Sequence, residues 1–258
     1  MAKYAKRLIK NTKRAKEKIH LIFSQFRDAR QFSRIFPEFS DYRKLRIQHE
    51  KKLIPAYEDY INQISTDDMA VSFQTSSFLY TVSSMMRPSR ILDLGSGFSS
   101  FVFRLYSREA DHSIETFSVD DSKDWLERTR SFLLRYEIGP ENLFHWQDFC
   151  KLNAARFDLI FHDLGSMELR AETLPYVLTL LGQHGLIILD DMHSESYRPT
   201  ALKTLEEAGF HRFSVRKYTL DKFGRFSEVA IAHSADHCRD LCNDVSHEIS
   251  KGLKTMLL

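Results

Sequence analysis

Over the first sixty positions, apolar residues recur at steps of three and four: Tyr4, Leu8, Ala15, Ile19, Ile22, Phe23 and Phe26. That period predicts an amphipathic helix. Lys3, Lys6, Arg7, Lys10, Lys13 and Arg14 fill the spaces between. Pro37 interrupts the pattern, and a second helix is predicted from Asp41 to Ile64. Ser65, Thr66, Asp67 and Asp68 supply a start for a third. It runs to Met86 and ends at Arg87-Pro88-Ser89.

From Arg90 the rhythm changes to short β-rich runs that alternate with helical ones. Strands are predicted at 90–94, 115–119, 143–146, 157–162 and 185–190, and helices near 99–108, 122–136, 168–181 and 196–208. Alternation of this kind gives a parallel sheet with helices on both faces. The runs 211–219 and 226–233, joined by a Gly-containing turn at 221–225, read as a hairpin. One edge of the sheet is therefore predicted to be antiparallel. The last 24 residues read as a polar helix. The pattern divides the chain into a helical extension (1–68), an α/β domain (69–234) and a C-terminal helix (235–258).

Composition changes this picture in one respect. The 258 residues carry a net charge of only +2, yet sixteen Lys and Arg against five Asp and Glu fall before residue 53. The first 52 residues balance at +11 and the rest at −9. Such a split fits an anionic partner for the N-terminal part, either a membrane surface or RNA, or else a solvated helix face. The three cysteines, Cys150, Cys238 and Cys242, are too few and too unevenly placed for a disulfide framework. They fit a reducing compartment, so a cytoplasmic location is expected, with or without peripheral membrane contact. No apolar run approaches the ~18–20 residues that span a bilayer, and the basic N-terminus lacks the apolar core of a secretory signal.

The candidate chemistry begins at 91–100, Ile-Leu-Asp-Leu-Gly-Ser-Gly-Phe-Ser-Ser. An apolar strand runs into a turn formed by Gly95, Ser96 and Gly97, where glycines let backbone approach a ligand closely. A dinucleotide fingerprint would have a third glycine in place of Ser100 and would seat a pyrophosphate at the turn. Asp93 would repel that pyrophosphate but suits the cationic amino group of a bound amino acid. Asp120, 25 residues after Gly95, and its neighbour Asp121 end the second strand, where a carboxylate can accept ribose hydroxyls or cap the next helix. Asp148, after the third strand, can accept from an adenine amino group, with Trp146 or Phe149 stacking on the ring.

These residues resemble a class I S-adenosylmethionine-dependent methyltransferase over roughly 70–234. The Asp-Leu-Gly-Ser-Gly of 93–97, the Ser-Val-Asp-Asp of 118–121, the Gln-Asp-Phe of 147–149, the run 157–163 and the terminal hairpin match the family's motifs in order. The resemblance implies a Rossmann-like α/β fold with a mostly parallel seven-stranded sheet, and S-adenosylmethionine as cofactor. Within the family, the chain is similar to metal-dependent O-methyltransferases of the catechol and sugar types. This implies a metal set of Asp163, Asp190 and Asp191, with Mg²⁺ as the ion. Two positions depart from the pattern. The family's Asp-Asn is Asp190-Asp191 here, and no lysine near Asp163 matches the one commonly used as base.

Three carboxylates at neighbouring strand ends would repel one another unless protonated or bridged by a cation. Oxygen ligands suit a hard ion, which can lower the pKa of a substrate hydroxyl. His193 is then a candidate general base, with Asp163 as its catalytic companion. Alternatively, Asp190 and Asp191 cap a loop and no metal is present. His162 precedes Asp163 in the strand and is expected to face the other side of the sheet. Arg170, Tyr197 and Arg198 can shape an acceptor pocket or lie at the surface.

Three functions fit these residues. The first is O-methylation of a small hydroxylated acceptor, such as a sugar or secondary metabolite, by a monomer or homodimer. The second is RNA methylation, with the basic segment gripping phosphates. The third is a non-catalytic scaffold on a methyltransferase-like fold. An NAD-dependent oxidoreductase is disfavoured by Asp93 and Ser100.

Overall fold

The computed structural model describes residues 36, 41–152 and 154–232. The predicted N-terminal helix before Pro37 and the C-terminal helix with Cys238 and Cys242 lie outside these residues. So do eleven of the sixteen basic residues that motivated a membrane or RNA partner; Arg43, Lys44, Arg46, Lys51 and Lys52 are described. Among the described residues, no helix is long and apolar enough to cross a membrane.

Two helices precede the sheet: α1 (Tyr42–Gln63) and α2 (Phe73–Met86). The α/β rhythm then gives β1 (Arg90–Leu94), α3 (Phe98–Glu109), β2 (Glu115–Asp120), α4 (Lys123–Arg135), β3 (Leu143–His145), α5 (Trp146–Phe149) and β4 (Phe157–His162). It continues with α6 (Met167–Thr179), β5 (Leu181–Leu189), α7 (Arg198–Glu207), β6 (Phe210–Ser214), α8 (Arg216–Thr219) and β7 (Glu228–Ala232). The seven strands lie in the order β3-β2-β1-β4-β5-β7-β6. The first five run parallel, and β7 enters antiparallel between β5 and β6. From β1 the chain winds outward to β3, then crosses back to β4. The switch point between β1 and β4 opens a crevice at the strand ends, where ligands bind in sheets of this kind.

Alternation along the central strands builds two cores. Ile91, Leu159, Phe161, Leu186 and Ile188 face α1, α2 and α3. Leu92, Leu94, Ile160, Ile187 and Leu189 face α6 and α7. The first core is rich in rings. Tyr57 meets Phe98 edge-on at 5.1 Å, and Tyr60 meets Phe132 at 5.0 Å. Helix α1 thus shares one core with α3 and α4. His49 sits on the same buried face, with Nδ1 2.9 Å from the Thr81 hydroxyl, and burial lowers its pKa to about 4.

Three boundaries differ from the sequence expectation. Helix α2 starts at Phe73, with the Ser72 hydroxyl accepting from the Thr75 N–H at 3.0 Å. Residues 65–68 instead lead into a turn, where Thr66 O accepts from the Ala70 N–H. A tertiary contact decides between the two sets of cap residues. The Arg225 guanidinium donates to the carbonyls of Asp67, Asp68 and Ala70 at 3.1, 2.7 and 3.0 Å. Strand β5 begins at Leu181 rather than 185, because Leu181 pairs with Phe157 before the register shifts to Leu186 opposite Leu159. The end of the predicted 211–219 strand curls into α8. There Tyr218 packs on Tyr42 at 4.5 Å, and the Thr219 hydroxyl accepts from the Ser227 N–H.

Candidate active site

The central strands end level with one another. Leu94 stands opposite His162, and His162 opposite Leu189. The next residues, Gly95, Asp163 and Asp190, therefore form a row. Asp163 N–H donates to Leu94 O at 2.7 Å, and Asp190 N–H to His162 O at 3.2 Å. Gly95 has φ +100°, and a Cβ there would lie 2.3 Å from the Asp163 carbonyl oxygen. Only glycine allows the β1 turn to pass this close to β4.

Asp93 is fully buried just before the turn. Its Oδ2 accepts from Ser100 Oγ at 2.5 Å and Ser118 Oγ at 2.9 Å, while Oδ1 has no partner. Burial pushes its pKa up to about 6, against the pull of the serine hydroxyls and Arg104. The serine that replaces the third glycine of the dinucleotide fingerprint thus orients this carboxylate.

At the end of β2, Asp120 Oδ2 accepts from the Ser96 N–H and hydroxyl at 2.7 and 2.8 Å, and Oδ1 from the Ser122 N–H at 2.8 Å. Burial raises its pKa. Asp121 lies exposed beside it at the mouth of the cleft. The glycine turn, Asp120, Asp121, Asp163 and Arg170 line one open cleft. Sequence reasoning did not anticipate its other walls, Tyr60, residues 69–71 and Trp125. These come from α1, the turn after it and α4, which only tertiary packing brings there.

Past β4 and β5, Arg170 from the first turn of α6 lies between two acids. Its Nη2 is 2.5 Å from Asp163 Oδ1, and its Nη1 is 3.0 Å from Asp191 Oδ2. Asp190 Oδ1 instead accepts from the Ser227 hydroxyl at 2.7 Å. Among the described residues, no three His, Cys, Asp or Glu side chains converge as metal ligands. The predicted metal set of Asp163, Asp190 and Asp191 therefore does not fit a divalent ion as it stands: Arg170 already fills the space between two of its members. Burial raises the pKa of Asp163, with Asp190, Asp191 and Asp93 adding to the rise and Arg170 opposing it. Asp190 is pushed up to about 6 by burial and by Asp191.

His193 is partly exposed, with Nδ1 3.4 Å from Asp191 Oδ1. His162 faces the α6–α7 side as expected, near the Tyr197 hydroxyl and Thr173, and burial lowers its pKa to about 3. Tyr197 is buried there, and Arg198 pairs with Glu228. Asp148 does not join the cleft. Its carboxylate is exposed and pairs with Lys151 at 2.7 Å, while Phe149 is buried in the second core. A separate groove of about 310 Å³, lined by Tyr57, Ile61, Phe73 and Phe223, lies on the other side of the turn after α1. It holds none of the strand-end acids, so it is not the candidate reaction site.

No protein-family model and no curated protein matches the chain. Solved structures do match. A methyltransferase of Podospora anserina bound to S-adenosylhomocysteine superposes over 70% of this chain and 88% of its own, with a TM-score of 0.54 and 18% identity. An O-methyltransferase of Bacillus cereus in complex with the same ligand covers 71% and 89%, with a TM-score of 0.53 and 14% identity. The O-methyltransferase TomG of Streptomyces achromogenes, bound to S-adenosylmethionine and involved in tomaymycin synthesis, covers 72% and 90%, with a TM-score of 0.51 and 14% identity. The fold is that of the class I S-adenosylmethionine-dependent methyltransferases.

Proposed function

We propose that this protein is an S-adenosylmethionine-dependent methyltransferase acting on a hydroxyl oxygen of a small acceptor. The observation that carries the reading is Asp93. A buried carboxylate with one unpartnered oxygen sits beside a glycine turn at the switch point of this fold. A buried acceptor without a donor is costly and calls for a ligand donor. The ligand's ammonium supplies one. Asp120 and Asp121 are the ribose-side acids, and Trp125 offers an aromatic surface beside them. The solved neighbours bound to this cofactor or its product support the assignment.

When bound, S-adenosylmethionine supplies a methyl group on a cationic sulfur. The protein then has to align the acceptor oxygen and exclude water, which is mainly a matter of positioning. It must also take the hydroxyl proton. His193 is the candidate base: it is exposed, its Nδ1 lies 3.4 Å from Asp191 Oδ1, and Arg170 holds the other oxygen of Asp191. A general base needs to come within hydrogen-bond reach of the hydroxyl proton. In this reading, Asp163 is the acid nearest the transfer, at the cleft's inner wall.

Calorimetric titration of the full chain with S-adenosylhomocysteine tests the proposal. Saturable 1:1 binding that Asp93→Asn weakens severely supports it. A folded wild-type protein that binds neither S-adenosylhomocysteine nor S-adenosylmethionine would leave the scaffold reading in its place.

A further inference from the structure

We infer that Arg170 is the resident cation of the strand-end acid cluster and stands where the resemblance to metal-dependent O-methyltransferases implies a divalent ion. Its role in catalysis rests on the methyltransferase reading above, but the charge arrangement does not.

Two nitrogens of one guanidinium span carboxylates from two different strand ends, Asp163 after β4 and Asp191 after β5. Two other carboxylate oxygens go elsewhere. Asp191 Oδ1 faces His193, and Asp190 Oδ1 faces Ser227. The acids are thus shared among three partners instead of converging on one point.

The fold specifies this placement. Ser166 caps α6, its hydroxyl accepting from the Leu169 N–H, and the Gly165 carbonyl accepts from Arg170 Nη2 at 3.3 Å. The Arg170 side chain is only 7% exposed. An arginine cannot leave such a site by losing its proton, and ejecting it to admit an ion would break two partly buried ion pairs.

One further observation marks the cluster as more than a plain ion pair. Arg170 Nε is buried with no partner, on a residue that lines the cleft. This N–H is a donor that the two ion pairs leave unused. Arg170 is therefore a positioning residue: it neutralises the acids and steers the acceptor, without the direct coordination through which a metal acidifies a hydroxyl.

Mn²⁺ binding, followed by electron paramagnetic resonance and by thermal shift, tests the inference on wild type, Arg170→Ala and Arg170→Ala/Asp163→Asn. Wild type should take up no Mn²⁺ and should gain no thermal stability from it. Arg170→Ala, with its acids uncovered, should bind one Mn²⁺, and adding Asp163→Asn should abolish that binding. If Arg170→Ala does not fold, Arg170→Lys replaces it; a lysine that keeps the charge should keep Mn²⁺ out. Stoichiometric Mn²⁺ binding by wild type, lost on Asp163→Asn, would overturn the inference. So would a folded Arg170→Ala that gains no Mn²⁺. S-adenosylhomocysteine titrated into the same wild-type sample reports separately on the methyltransferase reading.

Discussion

Near the ends of β1 and β2, Asp93 and Asp120 are held by serine hydroxyls and backbone N–H groups. After β4 and β5, Asp163 and Asp191 are held by a guanidinium. Both ends place acids at the C-terminal ends of parallel strands, but the donors differ in charge. Neutral donors orient a carboxylate and leave its negative charge for a cationic ligand. A guanidinium orients the carboxylate and cancels much of that charge. The first end therefore suits an ammonium, and the second suits an uncharged acceptor that the bare acids need not repel. The type of donor behind an acid says more about its ligand than the acid does.

The largest predicted effect comes from joining the two ends too tightly. Gly95→Val would push a side chain into the Asp163 carbonyl at the seam between them. S-adenosylhomocysteine binding should vanish from calorimetry, and the thermal midpoint should fall by several degrees. Retained affinity would show that the seam yields and that the ends are independent.

Asp93→Asn should weaken S-adenosylhomocysteine by about 100-fold, the scale of a lost charge-assisted hydrogen bond. Asp191→Asn, at the neutralised end, should change that affinity by less than about threefold. Equal losses at both ends would erase the contrast between them.

A smaller effect should appear with pH. Asp93 has a raised pKa of about 6 because it is buried. The ligand-free protein accordingly gains stability as pH falls from about 6 toward 3.8, where the folded state takes a proton that the unfolded chain does not. Ligand binding needs the ionised form, so affinity should decline below pH 6, tending toward about tenfold per pH unit. Ser118→Ala removes one donor to the carboxylate and should move that decline to higher pH. A flat profile from pH 5 to 8 would mean that Asp93 does not meet the ammonium.

A modest change is expected for Ser100→Ala. Losing one hydroxyl from Asp93 should lower affinity by about tenfold or less.

Much of the sheet was legible because local patterns carried it. The runs 90–94 and 157–162 are mostly apolar or aromatic, and they match β1 and β4 end to end. Asp93 and Gly95 could be read from the turn they form. Asp148 follows the third strand as read, but it lies exposed beside Lys151 and outside the cleft lining. The walls contributed by Tyr60 and Trp125, and the cap at Ser72, depend on contacts between segments far apart in sequence. Arg170 left a faint trace. It is a lone cation in the first turn of the helix that follows Asp163, with two more acids waiting after the next strand.

Arg225 reaches from the loop before β7 to three carbonyls in the turn that roofs the cleft. In terms of inheritance, this ties together two stretches of chain that lie more than 150 residues apart. A chimera joined between Asp68 and Met69, with its terminal hairpin taken from another parent, would divide that bond between lineages. The borrowed hairpin would have to bring its own arginine, or the roof would lose its donor. Recombination should therefore tolerate exchange of the whole described chain far better than exchange of either end alone.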